Sequence, residues 1–195
     1  MLNRATAGSI EVGRQASDQD DEAELVARAR VDRQAFAPLY NRYLPPVYRY
    51  CFARMRSPEA AEDLTSLVFA NALAALSTYR GGSFAAWLFT IARNAVSNAS
   101  RRTPDHPLTD LDVIDATPTP EELAIASDEH RLLWELLEYL SADQRQVVEL
   151  RLAGLSGPEI ARVLGRSHTS VRSLQFRAIA RLRDLIRSEE DADDR

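Results

Sequence analysis

Apolar positions along most of this chain recur every three or four residues, the period of an amphipathic helix, and no run of alternating β-branched residues suggests a strand. The first helical stretch runs from about Asp21 into the Tyr40–Tyr43 region, with Leu25, Ala29, Phe36 and Leu39 as expected core. Pro45-Pro46 is expected to break or bend it before Val47 to Arg56 continues. A second helix is signalled by Ser57-Pro58-Glu59, a cap followed by a proline. A third follows Gly81-Gly82-Ser83 and runs from Phe84 to about Arg102. Leu88, Ile91, Ala92 and Ala95 of that helix turn inward, while Arg93, Asn94, Ser97, Asn98, Arg101 and Arg102 turn outward. The period stops over residues 103–120, where Pro104, Pro107, Pro118 and Pro120 fall, and resumes from near Glu121 to about Arg187.

The last two helices form a recognisable motif. Ser156-Gly157-Pro158-Glu159 combines a capping serine, an early proline and a glutamate three residues on, the capping-box arrangement. Ile160, Ala161 and Leu164 supply its inward face, Gly165 permits a sharp turn, and Ser167 caps the next helix. On that next helix Val171, Leu174, Ala178, Leu182 and Leu185 share one face at about 100° per residue. Thr169, Arg172, Ser173, Phe176 and Arg177 share the opposite one. One stripe for packing and one of hydrogen-bond donors is what a helix-turn-helix needs to read duplex DNA. The plainer readings are a solvated basic face for the arginines and packing on a neighbouring helix for Phe176.

Charge sharpens this picture. The 195 residues carry a formal charge of −5, which by itself argues against a nucleic-acid binder. The distribution argues the other way. Thr103 to Glu129 holds eight acids and no Arg or Lys, whereas Arg151 to Arg187 holds eight arginines against Glu159 and Asp184. At 45% apolar the chain is long and hydrophobic enough for two small cores. The expected class is therefore all-α, with two small helical domains (21–102 and 121–187) joined by an acidic, flexible linker (103–120). A polar leader (1–20) and a frayed charged tail (188–195) flank them. The single cysteine, Cys51, excludes a disulfide framework or a thiolate zinc site. No apolar stretch reads as a signal peptide or membrane span, so the expectation is a cytoplasmic protein with no direct membrane insertion. His106, His130 and His168 have no ligand partners at metal spacing, and Gly81-Gly82 lacks the rest of a phosphate loop. No catalytic residue, metal or cofactor is expected.

Two blocks carry a family resemblance. Trp87-Leu88-Phe89-Thr90-Ile91-Ala92-Arg93-Asn94, following an acidic helix with Ala61-Glu62-Asp63-Leu64-Thr65, resembles the second domain of bacterial sigma factors. Gly154-Leu155-Ser156, Glu159-Ile160-Ala161, Leu164-Gly165, Ser170-Val171-Arg172-Ser173 and Phe176-Arg177-Ala178 resemble their fourth domain. Both blocks in this order, with only a short linker between them, resemble the small extracytoplasmic-function group.

The resemblance implies an alternative sigma factor that binds core RNA polymerase, directs it to promoters and helps melt the minus-ten region. It implies contact of Asp63, Leu64, Ser66 and Leu67 with the β′ clamp; the family often has Gln and Glu where this chain has Ser66 and Leu67. It implies capture of the unwound minus-ten strand by the Tyr79–Phe84 loop, with Tyr79 stacking and Arg80 supplying charge. Arg93, Asn94, Ser97, Asn98, Arg101 and Arg102 would complete that surface, Asn98 standing where the family commonly has an acid. Trp87 reads better as core than as a base platform. It further implies minus-thirty-five contacts by His168, Thr169, Arg172, Ser173, Phe176 and Arg177. The expected partners are the polymerase β′ clamp and β flap, promoter DNA both duplex and single-stranded, and an anti-sigma factor, the free chain being monomeric. The acidic linker lies where the family threads its connector toward the RNA exit path; imitation of RNA and a plain tether both fit it. The rival is a stand-alone helix-turn-helix regulator with an N-terminal interaction domain, which would typically dimerise on duplex DNA.

Overall fold

A computed structural model of the chain describes residues 22–102 and 136–193. The leader, the linker, the helical restart near Glu121, and His106 and His130 lie outside them. The described residues contain helices and turns and no strand. In chain order they are α1 (residues 22–31), α2 (Ala37–Met55), α3 (Pro58–Ala75), α4 (Phe84–Arg102), α5 (136–138), α6 (Ala142–Leu152), α7 (Gly157–Leu164) and α8 (His168–Asp193). Short 3-10 turns, Arg33–Phe36 and Leu76–Thr78, precede α2 and follow α3.

The first helical break is at Asp32, not at Pro45-Pro46. The Asp32 carboxylate accepts the Gln34 N–H at 2.9 Å, a local bond that competes with helix continuation and starts the 3-10 turn instead. α2 then runs unbroken through both prolines. Each proline forfeits one helical N–H bond. The helix around them is anchored by Leu39, Val47, Tyr50 and Cys51, all 1% exposed or less. α3 starts where its cap predicts: the Ser57 hydroxyl accepts the Ala60 N–H at 3.3 Å. At the other end of the chain α8 continues to Asp193, past the expected tail start at 188, because no glycine or proline interrupts it.

The two halves share one core. Phe36, Leu39, Val47, Val68, Phe84, Leu88 and Phe89 fill the space between α2, α3 and α4, with Phe84 meeting Phe36 edge-on at 6.5 Å between ring centres. Val147, Leu150, Ile160, Val163, Val171 and Leu174 from α6, α7 and α8 belong to the same continuous cluster. Burying a leucine or phenylalanine side chain stabilises by about 1.5–3 kcal/mol, so this packing is the main force holding α7 on α4 and α6 on α2. A smaller cluster of Leu137, Leu140 and Ala178 ties α5 and the turn after it to α8.

Candidate nucleic-acid interface

Local chemistry builds the helix-turn-helix. The Ser156 backbone N–H and hydroxyl both donate to the Glu159 carboxylate, at 2.7 and 2.6 Å, closing the N-terminus of α7. Gly165 ends it with φ at 63°, the left-handed conformation that glycine adopts without a Cβ penalty, and the Arg166 N–H returns to the Ala161 carbonyl at 2.9 Å. The Ser167 hydroxyl accepts the Ser170 N–H at 3.2 Å and caps α8. Val171, Leu174 and Ala178 are buried. His168, Thr169, Arg172, Ser173, Phe176 and Arg177 are all exposed, and Phe176 is 74% accessible, so among the described residues it packs on no neighbouring helix. The six side chains sit on the first two and a half turns of one helix, within reach of one groove.

The second surface is the outer face of α4 with the loop before it. Asn94, Ser97, Asn98 and Arg101 are exposed. Arg101 bends back along its helix, donating to the Ser97 carbonyl at 3.2 Å and the Asn98 side-chain oxygen at 2.7 Å. Arg102 closes the helix. Arg80 is exposed at the loop, 3.5 Å from the Ser77 carbonyl. Arg93 is half-buried, and its guanidinium donates to the Val163 carbonyl of α7 at 3.3 Å.

Tyr79 departs from expectation. It is 6% exposed, wedged edge-on against Phe84 and Trp87 at 5.7 and 5.5 Å, and its hydroxyl donates to the Gly82 carbonyl. A ring packed this way offers no face to a base, so the stacking role is corrected to a structural one. Trp87 is half-buried and packs against the core, as expected. On α3, Asp63, Ser66 and Leu67 are exposed, with Leu67 at 49%. Leu64 is corrected likewise: it is 5% exposed, one turn from Ala61 and Val68 on the inward face, and is unavailable to a partner.

Sequence reasoning missed the polar contacts between the halves. Arg54 on α2 donates to Glu149 on α6 at 3.2 Å, and the Glu149 side chain is 1% exposed. Burial pushes the Glu149 carboxyl above its ordinary range, and Arg54 only partly opposes this. Arg56 pairs with Glu138 at 2.6 Å. The Ser83 hydroxyl, which caps α4 by accepting the Ala86 N–H at 3.1 Å, donates its own proton to Glu159 at 2.6 Å. Burial alone would raise the Glu159 carboxyl, but the bonds from Ser156 and Ser83 outweigh it and hold it low. Near them Glu22, 7% exposed, accepts from the Tyr43 hydroxyl and, at 3.4 Å, from the Phe84 N–H; burial raises its carboxyl. Apart from the caps at Ser83 and Ser156, none of these pairs has a sequence signal, because the partners lie from 21 to 95 residues apart. Among the described residues no cluster of His, Cys, Asp or Glu is fit to hold a metal, and no helix is long and apolar enough to cross a membrane.

The arrangement offers two polar, partly basic surfaces on separate halves, each on a rigid helix. The comparisons with known proteins fall in line with this division. The family model for Sigma-70 region 2 matches residues 39–104, and that for Sigma-70, region 4 matches residues 130–182. Over 183 residues the chain is 37% identical to the ECF RNA polymerase sigma factor BldN of Streptomyces coelicolor, covering 89% of this chain and 69% of BldN. It is 35% identical over 191 residues to the ECF RNA polymerase sigma factor SigD of Mycobacterium tuberculosis, covering 91% of this chain and 90% of SigD. Among solved structures, CnrH in complex with the cytosolic domain of CnrY superposes with a TM-score of 0.67 at 25% identity, over 84% of this chain and 96% of that one. The sigma factor RpoE of Bartonella quintana, in complex with the anti-sigma factor NepR, shares the fold at a TM-score of 0.59 and 23% identity, over 78% and 96%. The chain belongs to the ECF family of RNA polymerase sigma factors.

Proposed function

We propose that this chain docks on core RNA polymerase in the cytoplasm, without catalytic activity of its own, and holds a promoter at two points. The observation that carries this reading is the division of exposed polar residues between two helices in separately matched regions. The exposed face of α8 lies in region 4, and the exposed face of α4 lies in region 2. On α8, Arg172 and Arg177 are suited to bidentate contacts with guanine. Thr169, Ser173 and His168 are suited to phosphates or base edges, and Phe176 to a thymine methyl in the minus-thirty-five major groove. On α4, Asn94, Ser97, Asn98, Arg101 and Arg102, with Arg80 from the loop, provide donors and positive charge for an unwound minus-ten strand. Arg93 joins them once it leaves the Val163 carbonyl. Asp63, Ser66 and Leu67 form an exposed patch on α3 for the β′ clamp, and the helix-turn-helix half faces the β flap. An anti-sigma factor is the expected regulator, as CnrH and RpoE were each solved bound to a partner of their own.

Permanganate footprinting tests the reading. Thymines in the minus-ten segment should react only when core polymerase and this chain are both present. A footprint by the free chain on a palindrome, with no core-dependent melting, would support the stand-alone regulator instead.

A further inference from the structure

The loop between α3 and α4 is short, exposed at Arg80, and contains two successive glycines with φ of 95° and 88°. Such backbone has many alternative conformations, and a loop that must present a fixed surface to a single strand needs external ties. Glu159 and Glu22 tie the loop's C-terminal end through Ser83 and Phe84, and one residue ties its N-terminal end. Arg30, on α1, donates its Nε to the Leu76 carbonyl at 3.3 Å and one terminal nitrogen to the Tyr79 carbonyl. Both carbonyls lie at the short turn that follows α3; the Leu76 carbonyl also accepts the Tyr79 N–H at 3.3 Å, and Arg30 adds a second donor there. The Arg30 guanidinium also lies 5.7 Å from the centre of the Tyr79 ring. Tyr79 carries the constraint onward: its hydroxyl closes on the Gly82 carbonyl, spanning Arg80 and Gly81. Arg30 and the loop together line a groove of about 370 Å³, with Val26, Ala27, Tyr79, Arg80 and Gly82.

We propose that Arg30 is a positioning residue for capture of the minus-ten strand, fixing the Tyr79–Phe84 loop from α1 through two carbonyls and one ring. This rests on the reading of that loop as part of the single-strand surface. Arg30 stands apart from the core of α1, where Val26 and Ala29 are buried at 2% and 3% while Arg30 itself is exposed. Its loss therefore releases the N-terminal end of the loop, at Leu76 and Tyr79, without opening the core. Lysine is no substitute, because a single ammonium cannot bridge two carbonyls in a planar fork while lying over a ring.

The test uses full-length protein assembled with core polymerase. The probe is a fork-junction promoter fragment whose single-stranded minus-ten segment the wild-type holoenzyme has selected from a random pool. Arg30→Gln and Arg30→Lys should each weaken binding of that fragment by about tenfold and broaden the bases accepted in the minus-ten segment. Binding of a duplex minus-thirty-five fragment and the thermal midpoint should stay at wild-type values. Tyr79→Phe, which keeps the ring and removes the bond to Gly82, should show a smaller loss of the same kind. Wild-type selectivity retained in both Arg30 variants overturns the inference alone. So does a loss that merely follows a lowered thermal midpoint. If the wild-type holoenzyme selects no minus-ten sequence, the reading of the loop fails and the inference with it.

Discussion

At the scale of single residues, exposure separates side chains that neighbour one another in sequence. Leu64 and Leu67 lie on the same helix three residues apart, yet one is core and the other 49% exposed. Leu64→Ala should destabilise by about 2–5 kcal/mol in urea denaturation, the range for a large-to-small core change. Leu67→Ala should stay within about 0.5 kcal/mol of wild type and instead weaken capture by core polymerase in a pull-down. On α8, Arg172→Ala or Arg177→Ala should each lower holoenzyme affinity for minus-thirty-five duplex by about 1–3 kcal/mol if the lost contact is bidentate to a base. Unchanged affinity in a competition assay would place both on a merely solvated face. The period of α8 made its outward residues legible from sequence, because buried Val171, Leu174 and Ala178 dictate what points away. Tyr79 was misread because an aromatic in a polar loop looks available. Its burial depends on Phe84, Trp87 and Arg30, and the arginine comes from 49 residues away.

At the scale of elements, capping chemistry was the reliable guide. Ser57, Ser156, Gly165 and Ser167 each mark a helix boundary with a local hydrogen bond or backbone conformation that the residue type alone provides. Gly165 gives the cleanest test. A Cβ built there meets nothing within 4 Å, so Gly165→Ala introduces backbone strain alone. It should cost roughly 1–2 kcal/mol, the penalty for an L-residue in the left-handed region, measured by urea denaturation. A loss within error would mean that the turn relaxes to another conformation. The break between α1 and α2 was harder to read. Two prolines outweigh one aspartate as punctuation, but the prolines are accommodated in a helix with a well-buried face, whereas Asp32 rebonds its own backbone.

At the scale of the molecule, the shared core holds the two halves together and the Arg54–Glu149 contact links them, in a way that no local pattern announced. Periodicity reports which face of a helix is buried, not which distant helix covers it. The packed arrangement also sets a requirement. Elements at minus ten and minus thirty-five lie about 25 base pairs apart, or ~85 Å at 3.4 Å per pair. A compact body the size of the described residues has a radius of gyration of only about 14 Å. Holding both elements at once therefore requires the halves to part, releasing Arg93 from Val163.

Labels on α3 and α8 should report a short distance in the free chain and one longer by tens of ångströms in the promoter complex; an unchanged distance would contradict this. Cys51 will not interfere with thiol labelling, being fully buried with its thiol pushed up to about 11 by that burial. The buried pair adds a pH signature. The Glu149 carboxyl, facing Arg54 with Arg145 and Arg56 behind, is raised above its ordinary 4.5. Its contribution to the packed state is then full below pH 4.5 and declines as pH rises through the raised value. The stability of Glu149→Gln relative to wild type should accordingly improve between pH 4.5 and 7 in urea titrations. A relative stability that falls over the same interval would mean that the attraction of Arg54 exceeds the cost of burial.

The central claim is that this chain gives core polymerase a promoter, and run-off transcription on fragments selected by the holoenzyme tests it most directly. Core polymerase with the chain should yield a transcript of defined start, and neither component alone should do so. Initiation no better than that of core alone would contradict the account.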